Sequence, residues 1–126
     1  MSTINVILID DDPLVIEPLA LVLNAMGCTV TQFTDPRLGL QHIITHGKDA
    51  DLVLSDLMMP GVSGIKILEV HKAHAPDTPF ILMSAHASSE EVARARRLGA
   101  CAFLAKPFSP RSLEQTIRSA LADLAA

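Results

Sequence analysis

The chain has 126 residues, of which 49% are hydrophobic and 19% charged, and it carries a net charge of −4. This length suits one compact domain, because a single core of that size buries most of its apolar surface, so we expect one domain over residues 1–126. Because no apolar run could span a bilayer and residues 1–5 lack the features of a signal peptide, we expect a cytoplasmic protein without membrane contact. The negative charge argues against direct nucleic-acid binding, which depends on clustered Lys and Arg.

Short apolar runs alternate with amphipathic stretches along the whole chain, with a repeat of about twenty residues. This alternation is typical of a parallel sheet whose strands are joined by helices, because parallel strands need a crossover connection. The sequence therefore predicts an α/β protein with a doubly wound five-stranded parallel sheet and five helices. The predicted strands are Ile4–Ile9, Thr29–Phe33, Asp51–Ser55, Pro79–Met83 and Ala102–Leu104.

Helix start and stop signals agree with this reading. Asp12 followed by Pro13 predicts the start of the first helix, and Gly27 predicts its end. A capping box that begins at Ser88 predicts the start of the fourth helix, and Gly99 predicts its end.

Polar residues collect where the predicted strands end. In an open parallel sheet the carboxyl ends of the strands meet at one edge, and ligands bind in the crevice outside them. The residues expected at this edge are Asp10, Asp11, Asp12, Asp56, Ser84, Lys106 and Pro107.

The predicted edge has the chemistry of a phosphoryl-transfer site. Carboxylates held together repel one another, so they take up protons or recruit a hard cation that prefers oxygen ligands, for which Mg²⁺ is the natural choice. A carboxylate, Mg²⁺, an ammonium and a hydroxyl are the groups that position and neutralise a phosphoryl group. Each residue alone has an ordinary structural explanation as a helix cap, a turn former or a solvated lysine, so the prediction depends on their coincidence at one edge.

Four segments in order resemble the receiver domains of two-component response regulators, and the resemblance runs from Ile4 to about residue 124. Val6–Pro13 is similar to the family's first strand with its acidic pair, and Leu54–Gly64 to its phosphoacceptor strand and loop. Met83–Ala85 is similar to the segment that bears the switch hydroxyl, and Gly99–Phe108 to the one that bears the lysine. The resemblance implies a flavodoxin-like (βα)5 fold.

The resemblance also implies a role for each residue at the predicted edge. Asp56 is the phosphorylation site, Asp11 binds Mg²⁺ directly and Asp10 assists through water. The backbone carbonyl of Met58 completes the protein ligands of the metal. Lys106 contacts the phosphoryl oxygens.

Further positions are implied to transmit or time the signal. Ser84 turns inward to a phosphoryl oxygen, and Phe103 follows it as the aromatic switch residue, although Phe lacks the hydroxyl of the Tyr often found there. Met58 and His86 occupy the positions that tune hydrolysis of the acyl phosphate. The Lys106–Pro107 peptide bond is expected to be cis.

The implied partners are those of a signalling module that is not an enzyme beyond its own phosphorylation and slow autodephosphorylation. A sensor histidine kinase, a phosphotransfer protein or a small acyl phosphate donates the phosphoryl group. Phosphorylation then changes the surface of the fourth helix, fifth strand and fifth helix. That surface is expected to control an output domain or target protein, and it offers a possible homodimer contact.

Two other functions remain open from the residues. Asp10 and Asp12 form the Asp-x-Asp pair of haloacid-dehalogenase-like phosphatases, which would turn over many substrate molecules. That family places Thr or Val where this chain has Leu14, has no use for Asp56 in its loop, and needs a late acidic pair that is absent here. The third possibility is a receiver-shaped interaction module that is never phosphorylated.

We favour Asp12 as a helix cap over a metal ligand.

The remaining histidines and cysteines are expected to have structural roles. His42 and His46 lie four residues apart, and His71 and His74 three apart, but each pair lacks a third metal ligand, so we expect surface residues. The two cysteines have no metal-binding or redox spacing, so we expect reduced and partly buried thiols at Cys28 and Cys101.

Overall fold

The computed structural model describes the backbone of residues 3–125 and the side chains of residues 3–122. The strands are β1 (Ile4–Ile9), β2 (Cys28–Phe33), β3 (Leu52–Asp56), β4 (Phe80–Ser84) and β5 (Ala102–Ala105). The helices are α1 (Pro13–Ala25), α2 (Pro36–His46), α3 (Gly64–His74), α4 (Ser89–Arg97) and α5 (Pro110–Ala125), with a 3-10 helix at Gly47–Asp49. Among these described helices, none combines the length and apolar character needed to cross a membrane.

The strands form one parallel sheet in the order β2-β1-β3-β4-β5. This is the order of flavodoxin-like doubly wound folds, so the predicted fold class is confirmed. The chain order reverses at β1, which leaves a crevice outside the carboxyl ends of β1 and β3.

Helices cover both faces of the sheet, and a separate apolar core lies under each layer. α1 and α5 contribute to one core through residues such as Leu23 and Ile117. α2, α3 and α4 contribute to the other through Ile43, Ile67 and Ala95. Because β3 and β4 are buried along their whole length, their sequences are nearly continuous apolar runs.

The helix ends follow the predicted signals. Asp12 caps α1, where its side chain accepts a hydrogen bond from the Leu14 backbone N–H at 2.9 Å. The capping box at Ser88 is present before α4. Gly27 and Gly99 have φ values of 95° and 107°, the left-handed region that ends helices and favours glycine.

Strands β3 and β4 each lie one residue later in the chain than predicted. Asp56 and Ser84 therefore belong to the strands and do not merely follow them. The ladder continues because Asp56 pairs with Met83 and the Leu57 N–H donates to the Met83 carbonyl at 2.8 Å. The edge residues are consequently fixed by sheet hydrogen bonds, not carried on loose turns.

Two expectations about side-chain burial were wrong. His71 is fully buried, because it lies on the inner face of α3, packs against Phe80 and makes a 2.9 Å hydrogen bond between Nε2 and the Thr78 carbonyl. Cys101 is exposed, since it lies in the turn just before β5, whereas Cys28 is buried as it begins β2.

Candidate functional site

Most of the predicted edge residues come together at the carboxyl ends of the central strands, in a region that we call the acidic pocket. Asp10 follows β1, Asp56 ends β3, Ser84 ends β4 and Lys106 follows β5. Because these four strands are neighbours in the sheet, residues that are 96 positions apart in sequence are in contact.

An ion pair between Lys106 and Asp10 lies at the centre of this acidic pocket. The ammonium Nζ donates to Asp10 Oδ2 at 2.7 Å and lies 3.3 Å from Asp56 Oδ1. The other oxygen of Asp10 accepts a hydrogen bond from the Asp12 N–H at 3.0 Å. Asp10 is 0% exposed and Asp56 is 8% exposed, so one lysine partly neutralises two buried carboxylates.

Three carboxylates of the pocket are arranged as a candidate cation site. Ligand oxygens of Asp10, Asp11 and Asp56 all lie within 4.8 Å of one another. Such a set of hard oxygen donors suits Mg²⁺, which is commonly held by one or two carboxylates and several waters. The residues present therefore fit the predicted cation.

Burial and the attraction between the two groups shift the pKa values of Asp56 and Lys106 in opposite directions. Burial raises the pKa of Asp56 and so does the Asp10 charge, although the Lys106 ammonium pulls that pKa down. Burial acts to lower the pKa of Lys106, but its hydrogen bond to Asp10 and the two carboxylate charges outweigh that effect and raise the pKa. The ionised form of Asp56 is therefore less favourable in the folded protein than in water, and such raised carboxyl pKa values are common at functional sites.

The backbone around Lys106 ties it to the end of β4. The Lys106 N–H donates to the Ser84 carbonyl at 2.8 Å, and the Lys106–Pro107 peptide bond is cis as predicted. The Ser84 side chain is buried, and its Oγ accepts a hydrogen bond from the His86 N–H at 3.2 Å. Phe103, in β5, is half-buried against the core on the α4 side of the sheet.

The other predicted positions lie around the pocket mouth. Met58 is 61% exposed, directly after the residue that follows Asp56 in the chain, and His86 is exposed two residues after Ser84. The Asp12 carboxylate is taken up by its helix cap and does not belong to the three-carboxylate group. The arrangement therefore gives no support to an Asp-x-Asp site of the haloacid-dehalogenase type.

Sequence reasoning missed two contacts that shape the pocket. It assigned Lys106 to the phosphoryl group but not to Asp10. Strand-end positions predict which side chains lie close together but not which of them form an ion pair. It also missed Gly64, which begins α3 so close to β3 that a Cβ would collide with the Asp56 carbonyl oxygen and stand 2.8 Å from Leu57 Cα. The signal was a glycine directly after the helix cap Ser63, since glycine is the usual residue where two backbone segments approach closely.

The chain matches the response regulator receiver domain family over residues 6–118. It is 34% identical over 117 residues to the transcriptional regulatory protein FixJ of Bradyrhizobium diazoefficiens, covering 93% of this chain and 56% of FixJ. It is 33% identical over 117 residues to the sensory transduction protein RegX3 of Mycobacterium tuberculosis, covering 93% of this chain and 50% of RegX3. It thus spans about half the length of these curated relatives.

Solved structures agree with the family match. A CheY-like response regulator receiver domain protein from Methanospirillum hungatei superposes with a TM-score of 0.92 at 26% identity, over 98% of both chains. The match covers most of the chain in sequence and nearly all of it in structure. The chain therefore belongs to the response regulator receiver domains, the signalling modules of two-component systems.

Proposed function

We propose that this domain accepts a phosphoryl group on Asp56, with Mg²⁺ held among Asp10, Asp11 and Asp56. The observation that carries the proposal is the Asp56 carboxylate itself, which lies 3.3 Å from Lys106 Nζ inside a pocket that holds two further carboxylates. The donor is a sensor histidine kinase, a phosphotransfer protein or a small acyl phosphate.

In the transfer step a carboxylate oxygen of Asp56 attacks phosphorus. An O–P bond forms while the P–N bond of a phosphohistidine, or the P–O bond of an acyl phosphate, breaks, and the leaving group keeps the electron pair. Lys106 contacts both Asp56 and Asp10. Its ammonium can therefore stabilise negative charge first on the attacking carboxylate and then on the phosphoryl oxygens. Asp11, Asp56 and the Met58 carbonyl would bind Mg²⁺, with Asp10 assisting through water, and the ion would supply further neutralisation of the phosphoryl charge.

The phosphoryl group then biases a packed surface next to the pocket. It adds about −1.5 to −2 charge and strong acceptor oxygens, which favour a Ser84 hydroxyl turned inward. The Ser84 Oγ now accepts from the His86 N–H, so turning inward breaks that contact and frees space for Phe103. The change is a population shift in the surface of α4, β5 and α5, which an output domain, a target protein or a second copy reads.

The module is not an enzyme acting on external substrates; it catalyses its own phosphorylation and slow dephosphorylation. Met58 and His86, at the exposed mouth of the pocket, tune the rate at which water reaches the acyl phosphate. We place residues 1–126 in one cytoplasmic domain, with any output domain elsewhere in the protein.

Intact mass spectrometry after incubation with acetyl phosphate tests the proposal directly. Wild type should gain one phosphoryl adduct that requires Mg²⁺, and Asp56→Asn should gain none. Asp12→Asn is the matched control, because it removes a charge from the same acidic run while Asn still caps α1, and it should keep the adduct. Consumption of acetyl phosphate that survives Asp56→Asn without an adduct would favour a phosphatase at Asp10. The absence of both adduct and consumption would favour an unphosphorylated interaction module.

A further inference from the structure

Helix α1 is apolar on both its inner and its outer face. The inner face packs into the core through Ile16, Leu19 and Leu23. Leu14 and Leu21 lie on the outer face, where they are 83% and 70% exposed. A helix that is hydrophobic all round is ordinarily buried on all sides. The outer face of α1 is therefore an apolar surface that the single chain leaves uncovered.

The exposed apolar residues of α1 form one continuous stripe. Leu14, Pro18, Leu21 and Ala25 are all exposed and follow one another at intervals of four, three and four residues. This is the spacing of the seam along which one helix packs against another. Glu17, which lies beside the stripe, is the only charged residue of α1, whereas α4 carries five charged residues among its nine. The stripe thus has the character of a helix-packing surface.

An apolar groove lies next to the stripe, between α1 and the segment that leads from β5 into α5. It has a volume of about 500 Å³ and is lined by Leu14 and Pro18 from α1 and by Phe108 and Leu113 from the other side. This volume is several times that of an apolar cavity of ~150 Å³, which already holds a benzene molecule. The groove therefore has room for an apolar side chain supplied from outside.

The stripe and the groove together, which we call the α1 face, are complementary to themselves. Leu14 and Leu21 project from this face, and the groove beside them accepts apolar groups. In a two-fold dimer both copies use the same surface, so the projecting side chains of each copy meet the groove of the other. A second copy of the chain thus supplies the apolar groups that would cover this face.

The charges at the edge of the α1 face also favour a second copy. The chain carries a net charge of −4, so two copies repel each other over most of their surface. The α1 face is nearly free of this repulsion, because Glu17 is the only charge that α1 contributes. Arg111 directly follows Pro110, which lines the groove, and both Glu17 and Arg111 are exposed. In a two-fold dimer Glu17 of one copy can pair with Arg111 of the other, and the pair occurs twice.

We propose that this chain forms a two-fold homodimer through the α1 face. Interfaces with transient partners are no more apolar than the rest of a protein surface, whereas homodimer interfaces are more apolar. The composition of the α1 face therefore favours a second copy over a phosphodonor that binds briefly. The contact does not require phosphorylation of Asp56, and α1 lies outside the surface of α4, β5 and α5 that we expect to respond to it.

Sedimentation equilibrium of the unphosphorylated chain, at concentrations up to the submillimolar range, tests the dimer. Wild type should approach twice the mass of one chain. Leu14→Glu and Leu21→Glu should each weaken association at least about a hundredfold, because each substitution buries two unpaired charges in a two-fold interface. Leu38→Glu is the matched control, since Leu38 is a 53% exposed leucine on α2, which packs on the other face of the sheet, and it should leave the dimer unchanged.

A charge exchange makes the outcome decisive. Glu17→Arg should weaken the dimer about tenfold, since it places like charges opposite each other at two points, and Glu17→Arg/Arg111→Glu should restore most of the association. Wild type that stays monomeric at every concentration would overturn the proposal and leave the α1 face to a phosphodonor or an output domain. A dimer that survives Leu14→Glu/Leu21→Glu, or a charge exchange that restores nothing, would overturn it as well. Far-UV circular dichroism of each variant verifies that it is folded.

Discussion

Asp10 and His71 are both 0% exposed, but the fold accommodates them in opposite ways. Asp10 has a lysine countercharge 2.7 Å away and lies in a pocket that opens to solvent at the strand ends. His71 lies in the core of α3 with Nε2 bonded to the Thr78 carbonyl, while its buried Nδ1 has no hydrogen-bond partner within the described residues. Among the described residues, buried charge therefore lies at the edge that a ligand can reach, whereas burial favours the neutral form of the core histidine.

The two regions also respond to acid in opposite directions. Burial and the Asp10 charge raise the pKa of Asp56, so protonation of Asp56 relieves unfavourable charge in the folded state. Burial lowers the pKa of His71, with smaller contributions from the Lys72 and His74 charges, although the hydrogen bond to Thr78 opposes the shift. A lower pH therefore favours the folded state through Asp56 and disfavours it through His71.

Substitution of Lys106, whose ammonium neutralises the pocket carboxylates, should have the largest effect on stability. Lys106→Ala leaves Asp10 buried without its countercharge, and we expect the free energy of unfolding to fall by about 3 kcal/mol at neutral pH without Mg²⁺. Urea denaturation followed by circular dichroism measures it, since the chain has no Trp or Tyr.

A double-mutant cycle separates this charge effect from lost packing. Lys106→Ala/Asp10→Asn should recover part of the loss, because the double variant no longer contains the unpaired Asp10 charge, whereas Asp56 still lacks its lysine neighbour. Additive destabilisation by the two substitutions would mean that the ion pair does not couple them.

Mild acid should have the next largest effect, through His71. The imidazole of an unfolded histidine takes up a proton at about pH 6.5, whereas the lowered pKa of folded His71 delays its protonation to lower pH. The unfolded state therefore binds more protons below that pH, and stability should fall by up to about 1.4 kcal/mol per pH unit as pH drops toward the folded pKa. Urea midpoints at about pH 7 and pH 5.5 measure the slope.

The contribution of His71 is isolated with variants. His71→Leu should flatten the slope because it removes the titrating ring. His42→Gln is the reference, since burial also lowers the pKa of His42 and this residue contributes a smaller slope of the same sign. An equally steep slope in His71→Leu would assign the acid sensitivity to other groups.

Neutralising Asp56 should have the smallest effect, and it should be stabilising. Because the folded pKa of Asp56 is raised, its ionised form costs stability above that pKa and the cost disappears as pH falls through it. Asp56→Asn removes the cost, and we expect a gain of about 1 kcal/mol at neutral pH without Mg²⁺. Addition of Mg²⁺ should narrow the difference, because the ion stabilises only a folded state that binds it well. A variant less stable than wild type in metal-free buffer would contradict this reading of the pocket.

Most of the fold was predictable because local signals and apolar periodicity agree. Asp12 combines a cap, a following proline and an apolar helix, and the structure confirms that role. The ends of β3 and β4 were off by one residue, because only pairing with the neighbouring strand decides whether Asp56 and Ser84 belong to the ladder.

The residues that form the site were predictable from the sequence, but the ion pairs among them were not. Strand-end positions bring Asp56 and Lys106 to one edge, yet nothing in their spacing indicates that Lys106 bonds more closely to Asp10 than to Asp56. The error at His71 came from considering only its spacing to His74. Ile67 and Leu68, one turn earlier, lie on the buried face of α3, and that stripe was the signal for a core position.

The strand order also fixes when the pocket can be completed during synthesis. β1 leaves the ribosome early, but its partner β3 begins 43 residues after β1 ends, about 2 to 9 s later at typical elongation rates of 5–20 residues per second. Lys106 is made 50 residues after Asp56. A nascent chain therefore carries its aspartates for seconds before the lysine that neutralises them exists, and the charge balance of the pocket is completed only after β5 has been made.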